Sequence, residues 1–173
     1  MKQLFILLDT SGSVLLEGRS KIGQINDTLR DMLVAAEGKY TSAYLIVYAD
    51  MPRIYWSSKL GTAFEDLTTQ SMDGRSNLGK AYYFIKDIMT LSSTEAKDAC
   101  VVLMTDGEST DNYTKALKEI DPNNEMTRIA VGLGSGYEEL LENHATDRAL
   151  IFTDIGNSIT KDELIDEVLL NLA

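Results

Sequence analysis

Short unbroken apolar runs alternate along this chain with longer stretches in which apolar residues recur every three or four positions. The runs at 4–8, 43–48, 100–104, 127–133 and 149–152 read as strands, and the most continuous of them as strands buried on both faces. Between the first two, Ile22, Ile25, Leu29, Met32 or Leu33, and Ala36 mark one face of a helix that begins at Arg19 or Ser20 and stops at Gly38. A second helix opens from the loop at 73–79 and carries Leu78, Tyr82, Ile85 and Met89 on one face. Shorter helices are predicted over 112–119 and 137–143, and a helical turn around 63–67. The box Thr160-x-x-Glu163 predicts the start of a last helix with Leu164, Val168, Leu169 and Leu172 inward. The turn Asp50-Met51-Pro52 lets 53–56 return as a short antiparallel strand, and its proline suits a sheet edge. Strands alternating with helices predict an α/β fold: a doubly wound, Rossmann-like, mainly parallel sheet with one antiparallel edge strand and helices on both faces. No linker, repeat or low-complexity segment interrupts the pattern, so 1–173 is expected to be one domain.

The first strand runs straight into Asp9-Thr10-Ser11-Gly12-Ser13. In parallel sheets, ligand sites lie beyond the carboxyl ends of the strands, so one carboxylate and two hydroxyls stand where chemistry is expected. Hard oxygen donors in a compact loop suit Mg²⁺ or a similar cation. Two further stretches carry the same chemistry. Gly74-Arg75-Ser76-Asn77-Leu78-Gly79 is a loop opening a helix, and Thr105-Asp106-Gly107 ends an apolar strand. A parallel sheet would bring Asp9, Ser11, Ser13, Ser76 and Asp106 to one edge. Two carboxylates balance one divalent charge and leave room for an outside oxygen.

These three stretches resemble, in order, the motifs of the von Willebrand factor A (vWA) domain and its metal-ion-dependent adhesion site. Asp9-x-Ser11-x-Ser13 matches the first. The 74–79 loop resembles the second, usually Gly-Gly-Thr-x-Leu-Gly, with Ser76 for threonine and Arg75 for glycine. Val101 to Gly107 matches the third, and 129–134 resembles the strand that follows. Small stand-alone bacterial vWA proteins of the tellurium-resistance (TerY) type are the most similar kind. The resemblance implies a metal held by Asp9, Ser11, Ser13, Ser76 and Asp106. Ser11, Ser13 and, in the ligand-bound state, Ser76 would bind directly, and one or both aspartates through water. The metal is expected to be Mg²⁺, with Mn²⁺ or Ca²⁺ as substitutes. It further implies Mg²⁺-dependent recognition of an Asp or Glu on a partner protein, with Leu15, Leu16, Arg75, Glu108 and Ser109 as the rim. Leu15 and Leu16 either form a contact patch or fold back onto the core. Arg75 either grips the partner's carboxylate or is solvated.

The net charge of −11 argues against nucleic-acid phosphates and anionic membrane surfaces as partners. No stretch has the apolar length of a membrane span, the N-terminus lacks a signal-peptide pattern, and the lone Cys100 reads as a small buried residue. A cytoplasmic setting is expected. Gly132-x-Gly134-x-Gly136 lacks the last glycine of a dinucleotide fingerprint, which is Tyr137, and reads as a turn. His144 stands alone near a helix C-terminus and is expected at the surface. Thr110 or Asp111 is expected to cap the helix that follows it. Tyr44, Tyr48, Tyr55, Trp56, Tyr82 and Tyr83 are expected in packing. The chain is expected not to be an enzyme. A phosphotransferase using Asp9 would need a second aspartate where Ser11 stands, and a metal-independent structural subunit is the other alternative.

Overall fold

The computed structural model describes residues 2–11, 19–68, 75–134 and 138–173. A six-stranded sheet forms the middle layer, in the order β3-β2-β1-β4-β5-β6. The strands are β1 (Gln3–Asp9), β2 (Ser42–Tyr48), β3 (Pro52–Ser57), β4 (Ala99–Thr105), β5 (Thr127–Gly132) and β6 (Ile151–Thr153). All neighbours pair in parallel except β2 and β3, which form the antiparallel edge. The helices are α1 (Arg19–Ala36), α2 (Leu78–Leu91), α3 (Tyr113–Ile120), α4 (Glu138–His144) and α5 (Ser158–Leu172). The expected doubly wound sheet is therefore the observed one.

Every residue of β1, β2 and β4 is buried, which is why these strands read as unbroken apolar runs. Alternate side chains serve two cores. Leu4, Ile6 and Leu8 pack with Ile25, Leu29 and Met32 of α1 and with Leu164, Val168 and Leu172 of α5. Phe5 and Leu7 pack with Leu78, Tyr82, Ile85 and Met89 of α2, with Leu117 of α3 and with Leu140 of α4. The chain moves outward from β1 to β2 and then crosses back to β4. Right-handed crossovers in opposite directions put α1 and α2 on opposite faces and open a crevice between the carboxyl ends of β1 and β4. Asp9 and Thr105 sit at that crevice, each the last residue of its strand.

Several local expectations are corrected. Residues 61–68 form no helical turn. The Asn26 side chain takes both backbone groups of Leu67 instead, donating to Leu67 O at 3.0 Å and accepting from Leu67 N–H at 2.8 Å. Helix α5 starts at Ser158, capped by Asn157, whose side chain accepts from the N–H groups of Ile159 and Thr160. The run at 149–152 splits into a 3₁₀ turn, Arg148–Leu150, and the short β6. His144 is not at the surface. It is fully buried, its ring stacked on Tyr82 with centroids 5.8 Å apart, and its Nδ1 lies 2.6 Å from the Tyr82 hydroxyl. Among the described residues, no helix is long and apolar enough to cross a membrane.

Candidate metal centre

Asp9 leaves β1 pointing to the α2 face, and its carboxylate is wholly inaccessible. Three segments far apart in sequence meet on it. The Ser11 N–H donates to Oδ1 at 2.9 Å, closing an Asx turn. Thr105 Oγ1, from the end of β4, donates to Oδ2 at 2.8 Å. Ser76 Oγ, just before α2, lies 3.0 Å from the same oxygen and 2.9 Å from Glu108 O, so its one hydrogen faces two acceptors. Burial pushes the Asp9 carboxyl upward; hydrogen bonds from Ser11 and Thr105 pull it down, and the nearby charge of Asp106 adds a smaller upward push.

The second and third loops are clasped together around this point. Thr110 N–H donates to Ser76 O at 2.8 Å, and Ser109 Oγ donates to the same carbonyl at 3.2 Å. Thr110 Oγ1 donates to Asn77 Oδ1 at 2.7 Å. Asp111 completes the clasp, and it corrects the expected cap. The α3 cap is Asn112, whose side chain accepts from Lys115 N–H. The Asp111 carboxylate instead accepts from Gly79 N–H at 2.9 Å and Lys80 N–H at 3.1 Å, capping α2 from another loop. A Cβ at Gly79 would meet Asp111 Oδ2 at 2.9 Å, so the close approach needs glycine. Gly107 turns the third loop at φ 100, and its N–H donates to Thr105 Oγ1 at 3.1 Å.

Of the expected ligands, Asp9, Ser11 and Ser76 are buried together and Asp106 is half-buried beside them, its Oδ1 accepting from Glu108 N–H at 3.3 Å. Ser13, Leu15 and Leu16 lie outside the described residues. Arg75 and Glu108 are exposed, whereas Ser109 turns its hydroxyl inward to Ser76 O and Asp111. Among the described residues, no group of three or more His, Cys, Asp or Glu gathers. The pocket is a hydroxyl-rich one around few carboxylates. Sequence reasoning passed over Thr105 as a strand end, although it stands inside the Thr-Asp-Gly motif, and it passed over Tyr48. That side chain is completely buried, and among the described residues its hydroxyl has no hydrogen-bond partner.

The family model described as the von Willebrand factor type A domain matches residues 3–162. The chain belongs to this family. A comparison with curated proteins finds no match. Among solved structures, the vWA fold recurs in proximal thread matrix protein 1 of the mussel byssus, in a form with a zinc-occupied MIDAS motif. The identity is 16% and the TM-score 0.74, over 99% of this chain and 48% of the mussel chain. BatB of Bacteroides thetaiotaomicron aligns at 13% identity and TM-score 0.74 over 99% of this chain and 98% of its own. Manganese-loaded TRAP protein of Plasmodium vivax aligns at 13% identity and TM-score 0.66, over 100% of this chain and 72% of its own. This vWA chain thus spans about half the length of the mussel protein. At such identities the likeness is one of fold.

Proposed function

We propose that this vWA domain is a divalent-cation-dependent protein-binding module, with Mg²⁺ held by Asp9, Ser11, Ser13, Ser76 and Asp106. The observation that carries the reading is the meeting of three sequence-distant segments on one buried carboxylate, Asp9, through Ser11, Thr105 and Ser76. The donor set fits such an ion: it is all hard oxygen, and two carboxylates match its charge. A bound cation supplies a site for an outside carboxylate, and an Asp or Glu of a partner protein is the proposed ligand. Asp9 orients the Ser11 and Ser76 oxygens, and Thr105 holds Asp9. The zinc and manganese of the mussel and Plasmodium relatives support a divalent ion in this fold. The resemblance to tellurium-resistance proteins, a cytoplasmic setting and a non-enzymatic role belong to the same proposal. Cys100, buried with its thiol pushed up to about 12, takes no part.

Calorimetric titration of Mg²⁺ and Mn²⁺ into wild type and Asp9→Ala tests the site. Binding by wild type and loss in the variant are expected. Equal binding by both, with unchanged far-UV spectra, overturns the assignment.

A further inference from the structure

Tyr48 ends β2 directly opposite Asp9, its partner in the parallel ladder. Its carbonyl is doubly used: Tyr48 O accepts from Thr10 N–H at 2.9 Å and Thr10 Oγ1 at 3.1 Å. Its ring packs in the core with Phe5, Leu7, Leu78 and Tyr82. The hydroxyl is the exception. It stands beside Asp9, Thr105 and Ser76, the groups of the candidate metal centre, near enough to feel the Thr105 and Ser76 hydroxyls, yet among the described residues it makes no hydrogen bond of good geometry. A buried phenol left without a partner costs stability, and phenylalanine would fill the same space without that cost. A polar atom at this depth therefore points to a partner acquired when the centre is loaded.

We propose that Tyr48 is a positioning residue of the metal centre, its hydroxyl taking up a hydrogen bond to the Asp9–Thr105–Ser76 group when a cation is bound. The inference rests on the metal reading above. In the structure, Thr105 Oγ1 donates to Asp9 Oδ2, and Ser76 Oγ lies within reach of the same oxygen and of Glu108 O. A cation drawing on Asp9 or on Ser76 Oγ competes for those lone pairs. Tyr48 Oη lies within the same buried group and can accept a displaced hydrogen while donating its own. Groups that orient metal ligands in this way are commonly worth about tenfold or more in metal affinity.

The test is Tyr48→Phe, read in two ways. With chelator present, its melting temperature is expected to equal or exceed that of wild type. In Mn²⁺ titration, its affinity is expected to fall about tenfold. The two effects have opposite signs, which a residue serving only the core would not produce. A Tyr48→Phe protein that is destabilised or unfolded with chelator overturns the inference, because the hydroxyl is then structural. Wild-type Mn²⁺ affinity in the variant overturns it as well. If wild type itself binds no Mn²⁺, the metal reading falls and this inference with it, an outcome separate from the other two.

Discussion

Removing the Asp111 carboxylate asks whether the second and third loops behave as one body. In Asp111→Ala, Gly79 N–H and Lys80 N–H lose their acceptor and Ser109 Oγ loses one of its two. Lys80 is exposed, so water replaces the carboxylate there; Gly79 is buried, so its N–H is orphaned. Losing a cap costs about 1 kcal/mol. Losing a negative charge at a helix N-terminus adds about 0.3–1 kcal/mol. With one amide orphaned, the expected total is about 2 kcal/mol, toward the upper end of measured caps. For a chain of this size that lowers the melting temperature by about 4–8 °C. Urea unfolding gives the free energy, and hydrogen exchange at Gly79 and Lys80 gives the location. Both amides should lose protection while the Ile85 and Met89 amides of α2 keep theirs until global unfolding. A loss under about 0.3 kcal/mol, or protection retained at both amides, would refute the cross-loop cap.

Gly79→Ala should destabilise wild type, since its Cβ would stand 2.9 Å from Asp111 Oδ2, but in an Asp111→Ala background it should be neutral or stabilising, because alanine favours the helix. Additive urea-derived free energies would refute the clash. Arg128 is buried, pairs with Asp121, and donates to His144 O at 2.8 Å and Asn124 Oδ1 at 3.1 Å. Arg128→Met leaves Asp121 buried and unpaired, at a cost of about 3–5 kcal/mol in urea unfolding; under 1 kcal/mol would show that the pair is solvated. Burial depresses His144 to about 3, where its Nε2–H donates to Val101 O at 3.2 Å and Nδ1 accepts from Tyr82. The unfolded chain takes up this proton near pH 6.5 and the folded one only near 3. The contribution is therefore complete above 6.5 and lost on acidification, at about 1.4 kcal/mol per pH unit between the two values. Stability measured from pH 7 to 4.5 should fall less steeply in His144→Gln than in wild type, and parallel curves would count against it.

The sheet was legible because β1, β2 and β4 are buried on both faces, and a strand of that kind has no choice but to be apolar throughout. The grouping of polar residues at the candidate site was legible where one loop carries its own chemistry, as at Asp9 and Ser11, which are buried and hydrogen-bonded together. What escaped depends on contacts between distant segments. Asp111 lies one residue before the α3 cap, and its local sequence says nothing of Gly79, which it reaches 32 positions away. His144 ends a short helix rich in glutamate, and its burial is decided by Tyr82, 62 positions away. Residues 61–68 carry weak helical spacing, but the Asn26 side chain offers Leu67 both a donor and an acceptor and wins. At α5 the error was local: Asn157 caps earlier than the box at Thr160, and asparagine is the stronger cap.

The two departures from the family's second motif can be judged from the same geometry. Threonine at 76 would restrict its hydroxyl through a β-branch. Serine has no such restriction, yet Ser76 is fixed from several sides. Its carbonyl accepts from Thr110 N–H and Ser109 Oγ, and its hydroxyl lies between Asp9 and Glu108 O. The following residue, Asn77, donates its N–H to Ala49 O at 2.9 Å and its side-chain amide to Asp50 O at 3.1 Å. Neighbouring hydrogen bonds thus do the work that a methyl group does elsewhere. Arg75 stands where glycine is usual. What the loop uses at 75 is the main chain, whose N–H donates to Asp50 Oδ1 at 2.7 Å. The side chain is left exposed and takes no part in holding Ser76. Both substitutions therefore preserve the position of Ser76, the group on which the second loop's part in the site depends.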